Sequence, residues 1–173
     1  MLEVEMKYRS PGNDGIVTTL GRLGARKLCD EIIEDTYYAH PGRRFKETDE
    51  ALRLRKRDDG SEQTYKGPRM TGSSAKAREE LTLRIDDWLT MDRVLKRLGF
   101  VDIVCVKKRR VSFALDLLRV DIDDIEGLGQ FVEIELMTED PSRAKLLIHR
   151  AEKELRLVEK VKDTYLELIL KAQ

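Results

Sequence analysis

The chain opens Leu2-Glu3-Val4-Glu5-Met6-Lys7-Tyr8, a strict alternation of apolar and charged residues. The pattern returns at Leu52-Arg53-Leu54-Arg55 and at Phe131-Val132-Glu133-Ile134-Glu135-Leu136. Successive side chains of a strand point to opposite faces, so a period of two means a strand with one apolar face and one charged face. One such strand is ordinary. Several of them, some acidic and some basic, predict a sheet whose charged faces look at each other across a polar space. That space could hold a metal ion and a polyanion together.

Charged residues make up 38% of the 173, well above the roughly 25% usual for globular chains. The two signs balance at 33 each, which argues against a nonspecific nucleic-acid coat, since that needs a basic excess. The excess charge is therefore local, and its arrangement carries the information. The apolar content of 40% supports a real core, and the length fits one domain over 1–173. The start is acidic, with no basic segment followed by an apolar run, and no stretch approaches the ~18 apolar residues of a membrane span. These features predict a cytoplasmic protein with no membrane and no nucleic-acid partner. Cys29 and Cys105 lie far apart without metal-ligand spacing and are expected as two buried, reduced thiols.

Pro11-Gly12-Asn13-Asp14 ends the first strand, and Asp14 is a candidate cap for a helix over 15–27 with Ile16, Leu20 and Leu23 inward. A short strand near 32–39 and a polar loop over 40–49 follow. Strands 51–57 and 62–67 form a hairpin about Asp58-Asp59-Gly60-Ser61. After a Gly- and Ser-rich loop over 67–75 comes a strand over 76–85. Asp86 or Asp87 caps a helix over 88–98, then strands fall near 101–114, 115–123 and 129–138. A helix from Asp140-Pro141 runs to about 157, and a last one covers 163–171. The class is α+β, mainly β: about eight strands in antiparallel succession, flanked by helices.

The charged parity of these strands contains Glu3, Glu5, Lys7, Arg53, Arg55 and Lys66, then Arg78, Glu80, Thr82 and Arg84. It continues with Lys108, Arg110, Arg119, Asp121, Asp123, Glu133 and Glu135. The opposite parity is consistently apolar, so the register is well specified. If the charged faces line a closed barrel, the apolar faces point outward under the helices, which inverts the usual small barrel with its apolar filling. An open sheet with one bare charged face is the alternative. Chemistry favours closure. Arginine and lysine clamps match polyphosphate oxygens, and carboxylates suit hard cations such as Mg²⁺ or Mn²⁺. Phosphoryl or nucleotidyl transfer needs little beyond such positioning and charge stabilisation.

The same residues, in order, resemble the CYTH family, the triphosphate tunnel metalloenzymes. Glu3-Val4-Glu5-Met6-Lys7 resembles its ExExK signature. Arg53 and Arg55, Tyr65-Lys66-Gly67-Pro68, Arg78-Glu79-Glu80 and Lys108-Arg109-Arg110 are similar to its basic strands. Asp123 through Glu135 resembles its acidic block, and Thr164-Tyr165-Leu166-Glu167-Leu168-Ile169 a C-terminal tyrosine segment. The resemblance runs along nearly the whole chain and implies an eight-stranded antiparallel tunnel. It implies a divalent metal held by Glu5, Asp123, Glu133 and Glu135, with Glu3 and Glu80 nearby. It implies a triphosphate gripped by Lys7, Arg53, Arg55, Lys66, Arg78, Lys108, Arg110 and Arg119. Glu3, Glu5, Lys7 and Lys108 are the residues it marks for catalysis.

The glycine-flanked acidic block most resembles the class IV adenylate cyclase branch, which forms cyclic AMP and pyrophosphate from ATP. Analogy with that branch alone suggests a homodimer. Neither His40 nor His149 lies on a charged strand, so activation of the 3′-hydroxyl would fall to the cation. Hydrolysis of thiamine triphosphate or inorganic triphosphate in the same tunnel is the second reading, and a non-catalytic polyphosphate binder the third. The loop over 67–75 is a candidate lid with Arg69 reaching in, or a plain surface loop.

Overall fold

The computed structural model describes residues 2–69 and 76–172. Its strands are β1 (Leu2–Arg9), β2 (Arg26–Ala39), β3 (Ala51–Arg57), β4 (Gly60–Lys66), β5 (Lys76–Arg78), β6 (Glu80–Ile85), β7 (Val101–Leu115), β8 (Leu118–Ile125), β9 (Gly129–Thr138) and β10 (Lys160–Val161). Its helices are α1 (Asn13–Arg22), α2 (Phe45–Thr48), α3 (Trp88–Arg97), α4 (Pro141–Glu154) and α5 (Tyr165–Ala172).

All strand pairings are antiparallel, in the order β10-β1-β9-β8-β7-β2-β3-β4-β6. The ring comes round through β5, which pairs with β1 at Glu3↔Arg78, Val4↔Ala77 and Glu5↔Lys76. The expected strand over 76–85 is thus two strands, bonded to β1 before Glu79 and to β4 after it. The chain bends there because it changes partner, and the Glu79 carbonyl accepts instead from the Gly67 amide at 3.0 Å. The ladder is interrupted at that point, and the covalent chain carries the closure.

Other boundaries move for local reasons. β2 begins at Arg26 rather than near 32, because its first half finds a partner in the far end of β7. That half is largely exposed, so no apolar alternation marks it. Helix α1 stops at Arg22 because Gly24 takes a φ of 77°. Its N-cap is Gly12, with no side-chain cap, and Asp14 sits inside the first turn. Asp87 caps α3 by accepting from the Thr90 amide, and Asp140 caps α4 by accepting from Ser142 and Arg143, with Pro141 in the first turn. α4 ends at Glu154, before Arg156 at φ 54°. The two-residue β10 and the short α2 carry no periodicity and were not expected.

The larger part of the core lies outside the sheet. Val4, Tyr8, Val120, Ile122, Val132 and Ile134 pack under Ile16 and Leu20 of α1 and Ala144, Ile148 and Ala151 of α4. α3 sets Leu95 on Tyr38, Leu52 and Leu54. α5 instead sets Tyr165 on Tyr37, Val106, Ile125 and Phe131, which share the inward parity of Asp35, Lys108, Asp123 and Glu133 and close one end of the lumen. Apart from that end, this is the inverted barrel, with burial outward and charge inward. Cys105 corrects the expectation of two buried thiols: it is exposed on the outer face of β7, and Cys29 is half-buried. No helix among the described residues is long and apolar enough to cross a membrane.

Candidate active site

The inward faces enclose a cavity of about 370 Å³. Its basic lining comes from Arg53, Arg55 and Arg57 of β3, Lys66 of β4, Arg78 of β5, Lys108 and Arg110 of β7, Arg119 of β8 and Lys7 of β1. Its acidic lining comes from Glu3 and Glu5 of β1, Glu133 and Glu135 of β9, Asp35 of β2, Glu62 of β4 and Glu80 of β6.

Arg110 is the hub. Its Nε and Nη2 donate to the two oxygens of Asp123 at 2.6 and 2.5 Å, Nη1 donates to Asp121 at 2.5 Å, and Nη2 also reaches Glu133 at 2.5 Å. Asp121 and Asp123 are fully buried and do not line the cavity; they sit behind Arg110 and hold its guanidinium. A second unit is Asp35, which takes Nε and Nη2 of Arg55 at 2.6 and 2.8 Å. Burial works against the Asp35 carboxylate, but Arg55, Arg53 and Lys108 outweigh it and hold its pKa far below the usual range. Glu62 takes a longer ion pair from each of Arg53, Arg55 and Arg57, at 3.5, 3.4 and 3.4 Å. Lys7 reaches Glu133 at 3.2 Å. Lys66 pairs with Glu80 and reaches Glu3 at 3.4 Å.

Charge compensation is uneven. Burial, then the positive charge of Arg110, pushes Lys108 down to about 8, against the pull of Asp123 and Asp35. Burial, then the charges of Asp121 and Glu3, pushes Glu135 up to about 8, with Arg110 and Arg119 only partly opposing. Glu3 is also raised, first by burial, although Lys66 opposes. Around Glu135 and Glu3 the neighbouring cations do not fully offset burial and like charge, and around Lys108 the neighbouring carboxylates do not. Glu5 and Glu135 are direct partners across β1 and β9, with Glu3 and Glu133 one strand repeat away on either side.

This donor set fits a hard divalent cation in its chemistry: carboxylate oxygens, two of them held against their own ionisation. In the present arrangement no three His, Cys, Asp or Glu side chains among the described residues converge at coordinating distance. Asp123, expected among the ligands, is committed on both oxygens to Arg110.

Tyr165, at the start of α5, lines the cavity and is 5% exposed. Lys7 Nζ lies 3.7 Å from its ring centroid and Lys108 Nζ 4.9 Å. Its hydroxyl lies near the Asp123 carboxylate but makes no hydrogen bond of good geometry. Burial and the charges of Glu133 and Asp123 push that hydroxyl well above its ordinary pKa.

Of the expected inward set, Arg84 lies outside the cavity, donating to the Asp59 carbonyl at 3.1 Å beside the β3–β4 turn. Arg69 does not reach in: it grips Asp49 at 2.7 Å and Glu167 of α5 at 3.3 Å. The candidate lid tip Gly72-Ser73-Ser74 lies outside the described residues. His40 packs on Phe45 and Phe100, and His149 meets Glu152 at 3.1 Å on α4. Neither lines the cavity. Asp35, Arg57 and Glu62 belong to the lining and were not expected. The parity of Arg53 and Arg55 extends to Arg57, and that of Lys66 to Glu62, so both were within reach. Asp35 was harder, because Glu31-Ile32-Ile33-Glu34-Asp35 breaks the alternation.

An antiparallel tunnel that turns forked guanidinium groups and a run of carboxylates into one lumen defines a class of protein suited to an extended oxyanion and hard cations. The chain belongs to the CYTH domain family, whose sequence model matches residues 1–165. A candidate adenylate cyclase of Methanocaldococcus jannaschii is 35% identical over 173 residues, covering 97% of this chain and 98% of that protein. A solved Pyrococcus horikoshii protein superposes with a TM-score of 0.86 at 33% identity, covering 99% of each chain. A Hippeastrum candidate adenylyl cyclase with a dominant triphosphatase activity shares the fold at a TM-score of 0.74 and 18% identity, covering 99% of this chain and 96% of that one.

Proposed function

We propose that this chain is a divalent-metal-dependent enzyme acting on a triphosphate, and that its reaction is the conversion of ATP to cyclic AMP and pyrophosphate. The observation that carries the reading is the unequal charge of the lumen. Arginines and lysines of six strands face the lumen, while burial and neighbouring carboxylates push Glu135 and Glu3 towards their neutral forms in spite of Arg119 at 3.7 Å and Lys66 at 3.4 Å. A polyphosphate supplies counter-charge to the first set, and Mg²⁺ or Mn²⁺ to the second. Glu5, Glu133 and Glu135 would hold the cation, with Asp123 behind them. Bound there, it would act as a Lewis acid on the phosphate oxygens.

The chain's own groups do the rest. Arg53, Arg55, Arg78 and Arg119 bind the phosphates and fix their line. Lys66 and Lys7 neutralise charge on the departing group. Lys108, poised near 8, is held protonated once phosphate charge arrives beside it. In the cyclase reaction the ribose 3′-oxygen bonds to the α-phosphorus. The bond from that phosphorus to the bridging oxygen breaks, pyrophosphate leaves with the electron pair, and the hydroxyl proton passes to solvent.

The adenylate cyclase reading draws support from the M. jannaschii relative, whose name carries that activity across almost the whole chain. The Hippeastrum protein supports a second reading, in which water attacks the terminal phosphorus of the same gripped triphosphate. The test incubates purified protein with ATP, thiamine triphosphate or inorganic triphosphate, each with Mg²⁺ and with Mn²⁺, and separates products by chromatography. Cyclic AMP with pyrophosphate is the expected result. Orthophosphate without cyclic AMP selects the triphosphatase, and turnover retained by Glu133→Ala removes the metal assignment.

A further inference from the structure

Arg84 keeps the inward parity of β6 yet stands beyond the lumen, in a second cavity. It pairs across the strands with Glu62, as Thr82 does with Thr64 one repeat earlier. Around it lies a groove of about 230 Å³ beside the β3–β4 turn. Arg57, Glu62 and Thr82 line both this groove and the lumen, while Asp59, Ser61 and Arg84 line the groove alone. The groove therefore adjoins the lumen at its rim. That rim is the one away from α5. Ala51 packs in the Tyr165 cluster that closes the other end, and Arg57 is six residues further along β3, about 20 Å at the rise of a strand.

The chemistry of the groove differs from that of the lumen. Two cations, Arg57 and Arg84, meet two carboxylates, Asp59 and Glu62, so the groove offers no net attraction to a further phosphate. It offers hydrogen-bonding groups and a flat surface instead. The Arg84 guanidinium is fixed by donating from Nη2 to the Asp59 carbonyl at 3.1 Å, and it lies against Gly60, where a Cβ would stand 3.4 Å from Nη2. Arg57 donates from Nη1 to Glu31 at 2.6 Å and from Nη2 to Glu62 at 3.4 Å, but its buried Nε has no acceptor. The side chains of Asp59 and Ser61 make no hydrogen bond or ion pair among the described residues.

We propose that this groove is a nucleoside subsite: it takes the base and ribose of a nucleoside triphosphate whose phosphate chain lies in the lumen, with the base stacked on the Arg84 guanidinium plane. Guanidinium planes stack on flat rings. A neutral base that carries both donors and acceptors matches Asp59, Ser61 and the Nε of Arg57 better than another anion does. The proposal rests on the reading that the lumen holds a triphosphate, and it gives that triphosphate a direction. The α-phosphate falls beside Arg57 and Arg55, and the terminal phosphate points towards Lys7, Lys108 and α5. Inorganic triphosphate fills the lumen and leaves the groove untouched.

Isothermal titration of the full chain separates the groove from the lumen. The probes are ATP and inorganic triphosphate, with Ca²⁺ in place of Mg²⁺ to hold turnover down. Arg84→Ala is expected to weaken ATP binding by about 10-fold or more, the scale of one lost stacking platform, and to leave inorganic triphosphate within about two-fold. Arg84→Lys keeps the charge and loses the plane, so it should bind ATP as weakly as Arg84→Ala. An unchanged ATP affinity in Arg84→Ala, an equal loss for both ligands, or full recovery in Arg84→Lys overturns the proposal. A wild type that binds inorganic triphosphate but not ATP overturns the groove and keeps the lumen reading; one that binds neither overturns both. Photolabelling of the wild type with 8-azido-ATP, competed by ATP, needs no variant. Label within 57–62 or 82–84 is the expected result, and label confined to α5 or any other segment overturns the proposal.

Discussion

Arg110 and Asp35 show how single residues hold a charged interior together. Arg110, Asp123, Arg55 and Asp35 are each held by bidentate or multiple contacts, and removing one partner of such a pair leaves the other desolvated and unpaired, at a cost of about 3–5 kcal/mol. Asp35→Asn should therefore destabilise the protein by about 3 kcal/mol at pH 7. The folded carboxyl titrates far below its ordinary value, while in the unfolded chain it titrates near ~3.9. Its contribution is thus fully present above pH ~4 and disappears as pH falls below that point towards the folded value. Urea unfolding from pH 7 to pH 2.5 should show wild type and variant converging in acid. Lys66→Met is a functional counterpart. It removes a positive charge expected on the phosphate chain and should lower kcat/KM by about 100-fold or more, with the fold checked by circular dichroism.

At this scale the lumen was largely readable in advance, because the alternation in β1, β3, β8 and β9 forces a face on every residue. It was not readable in β2, where Ile33 and Asp35 share an inward parity that simple alternation does not mark. Nor could parity tell Asp121 and Asp123, which buttress Arg110 from behind, from carboxylates that reach the cavity. That distinction rests on Arg110 lying between them and the lumen.

The elements differ in how they meet the lumen. Strands supply its walls, while α5 supplies an end through Tyr165, whose ring packs edge-on against Phe131 at 5.3 Å. The unpartnered hydroxyl makes a sharp prediction. A buried hydroxyl without a hydrogen bond costs stability, so Tyr165→Phe should be as stable as wild type or slightly more so in thermal unfolding without ligand. If that hydroxyl is aimed at bound phosphate, the same variant should raise KM for a triphosphate several-fold while leaving the unfolding midpoint in place. An equal loss of stability and affinity would make the residue purely structural. Sequence pattern located α5 to within two residues, because Tyr165, Leu168 and Ile169 share a helical face. It could not locate the break at Glu79, which arises from a change of bonding partner rather than from any turn-forming residue.

Over the whole molecule, the cavity stores electrostatic strain that ligands relieve. Inorganic triphosphate with Mg²⁺ should stabilise the protein by about 2.7 kcal/mol at a concentration 100 times its dissociation constant. Either component alone should do less, since each compensates one side of the lumen. Differential scanning fluorimetry across the four combinations reads this directly, and equal shifts for triphosphate with and without Mg²⁺ would argue for plain anion binding. The inverted arrangement of core and charge was legible as a whole because the apolar parity agreed from strand to strand. Closure was expected from the charge chemistry and the family resemblance, but the three rungs between β5 and β1 that bring the ring round carry no mark of their own in the sequence.

β1 bonds along its full length to β9, more than a hundred residues later in the chain. On a ribosome adding roughly 5–20 residues per second, β1 waits on the order of 6–26 s for that neighbour to emerge. Glu3, Glu5 and Lys7 are then useful before there is any tunnel for them to line: in the nascent chain they make this waiting strand an unattractive surface for other nascent chains to join.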